Sequence, residues 1–184
     1  MASEPEKLID LVAEHDGPCI LDDAELAHLQ RRPLTHNGLR SFVTQGSFPR
    51  EAARCGVLRG ARVCVALPSG PESATALFAF SWWGCYAPLS VAHTAAELAA
   101  ELADLQPSAF VALAGSTDLV SAARLGVRAI ALWPDKETSG IFELRVCSGD
   151  DQQATCCEQL ATESDGGDVA MLLQTSGTTK RPKT

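Results

Sequence analysis

A chain of 184 residues with 46% hydrophobic and 21% charged side chains can bury a substantial core and is not of disordered composition. Its formal net charge of −8 argues against a nucleic-acid surface, and its tight basic clusters, Arg31–Arg32 and Lys180–Lys183, are not interleaved with aromatic residues. The seven cysteines are scattered, form no C-x-x-C pair and have no histidine at zinc-ligand spacing, so they read as reduced thiols rather than as a disulfide framework or metal site.

The amino-terminal stretch is acidic and lacks an apolar core, so no signal peptide is read there. Ser3-Glu4-Pro5-Glu6 reads as a capping box. Leu8, Ile9, Leu11 and Val12 then predict an amphipathic helix that ends at Gly17–Pro18, before a short strand at Cys19–Leu21. Thr35 is placed to cap a helix carrying Leu39, Phe42 and Val43. Gly46 and Pro49 interrupt that helix, and a second piece is expected from Arg50 to about Cys55.

Val63–Leu67 reads as a strand, after which Pro71 opens a helix with Ala74, Leu77, Phe78 and Trp82 on or near one face. Gly84 closes it, and Cys85–Leu89 carries the chain into a strand. Ser73–Ala96 has no charged residue and is long enough to cross a bilayer, yet Gly84 and Pro88 break it; a buried helix and strand are expected instead of a membrane span. Trp82 and Trp83 are expected in the core rather than as a ligand shelf.

Thr94-Ala95-Ala96-Glu97 is a second capping box, and Leu98, Leu102 and Leu105 extend its helix to Pro107. Ala109–Leu113 follows as a strand, Asp118–Leu125 as a helix stopped by Gly126, and Val127–Leu132 as another strand. Strands and helices alternating at these spacings need crossovers. That predicts an α/β fold with a largely parallel sheet flanked by helices.

Trp133–Gly140 reads as a polar loop, Phe142–Val146 as a strand and Gln152–Ala161 as a weak helix. The acidic stretch around Asp150, Asp151, Glu158, Glu163, Asp165 and Asp168 has no oxygen-ligand spacing for a metal and reads as a solvated linker.

The most informative stretch is the last. Val169–Gln174 reads as a short buried strand, followed by Thr175, Ser176, Gly177, Thr178, Thr179, Lys180, Arg181, Pro182, Lys183 and Thr184. Gly177 permits close backbone approach, the hydroxyls are donors, and Lys183 supplies a point charge: a composition suited to a polyphosphate. The nucleotide-triphosphatase pattern G-x-x-x-x-G-K-S/T fits Gly177–Thr184 except at Pro182, which has no N–H to give a phosphate. A plain Ser/Thr-rich surface turn is the bland alternative.

The run TSGTTKRPKT resembles the phosphate-binding loop of the adenylate-forming superfamily, whose usual form is T-S-G-T/S-T-G-x-P-K. Thr175, Ser176, Gly177, Thr178, Thr179, Pro182 and Lys183 match in register, and Lys180 departs where most members carry glycine. Gly56–Leu67 and Gly84–Leu89 resemble two further landmarks of that superfamily in the same order. The acyl-CoA synthetase branch is the nearest.

The resemblance implies an incomplete AMP-binding (adenylation) domain over residues 1–184 that ends inside the loop, with the mobile carboxy-terminal domain absent. It implies a ligase that activates a small carboxylic acid with Mg2+ and ATP as an acyl adenylate, then passes the acyl group to coenzyme A. Thr175, Ser176, Gly177, Thr178, Thr179 and Lys183 would grip the departing pyrophosphate. No catalytic residue of the superfamily falls in this stretch, so the chain alone would be inactive. A non-catalytic truncated paralogue, acting as a binding or regulatory module, is the alternative. The expected compartment is intracellular, cytoplasmic or peroxisomal.

Overall fold

The computed structural model describes residues 7–22, 31–147 and 169–173. The expected capping box at residues 3–6, the weak helix at 152–161 and the acidic stretch 150–168 lie outside them.

The first predicted helix is instead a single 3-10 turn, Leu8–Leu11. Arg40 supplies the reason: its Nη1 donates to the carbonyls of Ile9 and Val12, both at 3.0 Å, taking acceptors that a continuing helix would have used. Ile9 and Val12 are buried while Leu11 is 64% exposed, so the apolar pattern marks two anchors rather than a helical face.

A short antiparallel pair follows, β1 (Pro18–Ile20) with β2 (Leu34–Thr35). The first of these strands is displaced by one residue from the expectation, and Leu21 faces solvent. Thr35 caps α1 (His36–Thr44) as expected, its side chain accepting from the Gly38 N–H at 3.0 Å, and Leu39, Phe42 and Val43 are that helix's buried face. The next helix, α2 (Ser47–Arg54), starts three residues earlier than predicted. Pro49 sits in its first turn, where helical N–H groups have no partner and a missing one costs nothing.

The centre of the molecule is a five-stranded sheet of order β4-β3-β5-β6-β7, built from β3 (Arg62–Ala66), β4 (Cys85–Pro88), β5 (Ala109–Leu113), β6 (Arg128–Pro134) and β7 (Phe142–Val146). The first four are parallel, joined by α3 (Pro71–Trp83), α4 (Ala95–Leu105) and α5 (Thr117–Arg124); β7 turns back antiparallel along β6. The chain steps from β3 to β4 in one direction and then passes β3 to reach β5 in the other. With right-handed crossovers, such a reversal sends α3 and α4 to opposite faces.

Two cores result. On one face Val63, Val65, Val111, Ile130, Leu132, Phe142 and Leu144 pack against Phe42, Phe48, Ala76, Ala79, Phe80 and Trp83 from α1, α2 and α3. On the other, Cys64, Ala66, Ala87, Ala112, Ala129 and Ala131 leave room for Leu98, Leu102, Leu105 and Leu119 from α4 and α5. Consecutive strand residues alternate between these faces, as a pleated strand requires.

The buried face of α3 differs from the predicted one: Ala74 is exposed and Leu77 and Phe78 are half-buried, while Thr75, Ala76, Ala79, Phe80, Trp82 and Trp83 face inward. Glu72 is its one charge, so apolar residues surround the helix and periodicity could not select a face. Trp82 and Trp83 lie in the core as expected, and the Trp83 indole N–H donates to the Val57 carbonyl at 2.9 Å. Gly84 is there because the backbone passes too close for a side chain: a Cβ would lie 2.5 Å from the Ala61 carbonyl oxygen.

The outer edge of β7 is blocked. The Glu51 carboxylate accepts from the Leu144 N–H at 2.8 Å, and Glu143 and Arg145 pair at 2.7 Å on the exposed face, where Arg145 lies 5.3 Å from the Trp133 ring centre. Charges on an edge strand discourage pairing with another chain.

Candidate functional site

Residues 169–173 join the opposite edge. The Tyr86 N–H donates to the Ala170 carbonyl at 3.0 Å and the Leu172 N–H donates to the Tyr86 carbonyl at 2.9 Å, which makes a parallel bridge between Tyr86 and Met171. The expected buried strand Val169–Gln174 is instead a single bridge on β4, with Val169 and Leu173 exposed and Gln174 outside the described residues. Because the bridge is parallel, the chain leaves Leu173 at the carboxyl end of the sheet. The pyrophosphate-loop candidates, Thr175, Ser176, Gly177, Thr178, Thr179 and Lys183, all follow and lie outside the described residues.

Ligands of open α/β sheets bind beyond the carboxyl ends of the strands, commonly where strand order reverses. Here the reversal lies between β3 and β5, whereas residues 169–173 flank β4. The segment thus reaches the expected end of the sheet from its edge rather than from its switch point. Its nearest strand partner, Tyr86, is 6% exposed, and burial pushes its phenol above the ordinary tyrosine value.

That end is fixed on the α3 face by a buried ionic clasp that the sequence did not reveal. Arg31, whose side chain is 4% exposed, donates to Asp22 Oδ1 and to Glu72 Oε1, each at 2.5 Å, and to the Asp135 carbonyl at 3.2 Å. The Ser139 hydroxyl donates to Asp22 Oδ1 at 2.5 Å. Burial alone would raise the Asp22 carboxyl, but hydrogen bonds from Arg31 and Ser139 and the Arg31 charge hold it below its ordinary value. Burial likewise opposes the charge on Arg31, and its two carboxylate partners outweigh that. The clasp joins the segment preceding β2, the first turn of α3 and the β6–β7 connection. From sequence, Arg31 and Arg32 were merely a basic pair; Arg32 is exposed and pairs with Glu137 at 3.2 Å.

On the α4 side, the connection after β4 carries His93, whose Nε2 lies 3.0 Å from Glu101 Oε1. His93 Nδ1 and Glu101 Oε2 are buried with no hydrogen-bond partner among the described residues. Thr94 closes the expected capping box with Glu97: the Glu97 N–H donates to Thr94 Oγ1 at 3.3 Å and the Thr94 N–H to Glu97 Oε2 at 2.8 Å. The hydrogen bonds from Thr94 lower the Glu97 carboxyl.

Among the described residues, Cys55, Cys64 and Cys85 are buried packing groups. Burial pushes Cys55 up to about 11 and Cys64 up to about 12, and raises Cys19 and Cys85 as well, which suppresses the reactive thiolate. Among the described residues no three His, Cys, Asp or Glu side chains converge on a point that could hold a metal ion, and no helix is long and apolar enough to cross a membrane.

The fold has solved counterparts. The chain matches ATP-bound MatB from Rhodopseudomonas palustris with a TM-score of 0.58 at 21% identity, over 97% of this chain and 34% of that one. It matches IdnL1 with a TM-score of 0.57 at 15% identity, over 91% and 31%, and VinN with 0.52 at 22%, over 80% and 37%. At such identities the likeness is one of fold. The chain spans about a third of the length of these structures. No curated protein matches it. The AMP-binding enzyme family matches residues 52–184, from within α2 through the Ser/Thr- and Lys-rich run. A match over that much of the sequence decides membership: this chain belongs to the AMP-binding enzymes.

Proposed function

We propose that the chain contributes to a ligase that activates a small carboxylic acid with ATP, releasing pyrophosphate and leaving an acyl adenylate, and that coenzyme A then accepts the acyl group. Within that reaction Thr175, Ser176, Gly177, Thr178, Thr179 and Lys183 grip the β- and γ-phosphates. Donors and a cation fixed on the leaving pyrophosphate neutralise the charge that develops as the α-phosphorus bond breaks. Magnesium would arrive with the nucleotide phosphates.

The observation that supports this reading is the parallel bridge at Tyr86, which brings the chain to the carboxyl end of the sheet at Leu173, two residues before Thr175 in the sequence, within a region matched to the AMP-binding family. The capture of the adenine, the ribose and the acid would fall to residues other than these, so the 184-residue chain supplies scaffold and pyrophosphate grip without turnover.

The test is calorimetric titration of the chain with pyrophosphate and with Mg·ATP, alongside Lys183→Ala. Loss of one charge-assisted contact is expected to weaken binding about tenfold or more. Equal affinity in both proteins removes Lys183 from the site. Acyl adenylate made from ATP and any carboxylic acid by the chain alone refutes the division of labour.

A further inference from the structure

The turn Glu14–Gly17 closes over the amino-terminal end of α1. The His15 carbonyl accepts from the Asn37 N–H and the Gly17 carbonyl from the His36 N–H, each at 3.1 Å, so the turn satisfies two amides that a helix start leaves unpaired. Gly17 also sorts the two imidazoles. Its N–H donates to His15 Nδ1 at 2.9 Å, and its carbonyl lies 3.0 Å from His36 Nδ1. A ring nitrogen that faces an N–H must be bare, and one that faces a carbonyl must carry a proton. These partners assign His15 the Nε2–H tautomer and His36 the Nδ1–H tautomer, with ring centroids 3.9 Å apart. A Cβ at position 17 would lie 2.7 Å from His15 Nδ1, so glycine is what lets the ring reach its donor.

We propose that protonation of His15 releases this turn from α1, making the pair an acid-sensitive latch. A proton on Nδ1 turns the acceptor into a donor facing the Gly17 N–H. It also places a cation against the His36 ring and over the positive end of α1. The charged groups around the pair are Asp16, whose carboxylate accepts from Asn37 Nδ2 at 2.8 Å, and Glu14, which pairs with Arg40 at 3.2 Å. Both carboxylates are exposed and already partnered. β1 and β2 contribute no charged side chain.

The acceptor exists only while His15 is neutral. The latch is therefore closed while the His15 ring is neutral and opens when it takes a proton, a change of charge for which histidine is the side chain suited near physiological pH. Release would loosen the segment that carries the buried anchors Ile9 and Val12.

Hydrogen exchange at the Gly17, His36 and Asn37 amides tests this, after correction for the intrinsic pH dependence. Across imidazole titration, from about pH 7.5 down to about 5.5, exchange at these amides should accelerate about fivefold, the scale of one net hydrogen bond. In His15→Asn the side-chain Oδ1 accepts the same amide two residues on and does not titrate, so its rates should stay level. No acceleration in the wild type, or equal acceleration in H15N, overturns the proposal. Nitrogen NMR of the native rings at neutral pH is an independent check: finding both histidines in one tautomer would also sink it.

Discussion

Replacing Arg31 by methionine tests whether the clasp holds the carboxyl end of the sheet together. The substitution keeps most of the side chain's length and removes its charge, leaving Asp22 and Glu72, 9% and 13% exposed, without the cation they share. Breaking a buried pair by removing one partner costs about 3–5 kcal/mol, because a desolvated carboxylate is left uncompensated. That is a large part of the roughly 5–15 kcal/mol by which domains are stable. In urea, with a slope of about 2 kcal/mol per molar, the midpoint should fall by about 2 M, followed through fluorescence of the buried Trp82 and Trp83.

The pH dependence has a definite sign. Burial pushes the Asp22 carboxyl up, but the hydrogen bonds from Arg31 and Ser139, with the Arg31 charge, hold it below its ordinary value. Its stabilisation is therefore complete above the unfolded value of about 3.9 and is lost as the pH falls through the folded one. Without Arg31, burial acts on Asp22 with less to oppose it, so protonation relieves the variant. The gap between wild type and R31M should be widest near neutrality and shrink on acidification. Arg32→Met is the control: that arginine and Glu137 are 75% and 78% exposed, and its loss should change little. An R31M cost below about 1 kcal/mol at neutral pH, no more than a surface pair gives, would refute the reasoning.

Gly84→Ala should destabilise by about 1–3 kcal/mol or more by thermal melting, since its Cβ meets the Ala61 carbonyl oxygen, a backbone atom that cannot swing aside. A thiol reagent near neutral pH should label exposed Cys147 before the buried cysteines. Cys64, pushed up to about 12, should react only on unfolding, which peptide mapping of the labelled chain would show.

Where the sequence predicted the fold well, local chemistry and tertiary context agree. Thr35 and Thr94 cap the helices they were expected to cap, and the alternation of strands and helices from Val63 onward yields the parallel sheet. It misled where a distant residue intervened. Leu8–Val12 has a helical pattern, but Arg40, 28 and 31 residues on from the carbonyls it takes, breaks it into one turn. The face of α3 was illegible because apolar residues surround it. The clasp escaped notice because Arg31 meets Glu72 and Asp135 across separations of 41 and 104 residues, which no local spacing encodes. The segment before the candidate loop shows the converse: its apolar run reads as a strand, while among the described residues its one bridge to the sheet is at Tyr86.

The bridge at Tyr86 bears on the grip proposed for the residues after Leu173. One edge of the sheet is closed by Glu51, Glu143 and Arg145, but the other ends in residues 169–173, with Val169 and Leu173 61% and 59% exposed. Two backbone hydrogen bonds to Tyr86 hold this segment, each contributing about 0.5–1.5 kcal/mol net, with help from half-buried Met171 and Leu172. A ligand gripped by residues after Leu173 binds best when the segment is docked, so its apparent affinity falls in proportion to the docked fraction. On the proposed reading, any contact that buries Val169 and Leu173 therefore strengthens phosphate binding without touching the phosphate. By the same linkage, pyrophosphate bound as proposed is expected to slow hydrogen exchange at the Leu172 amide.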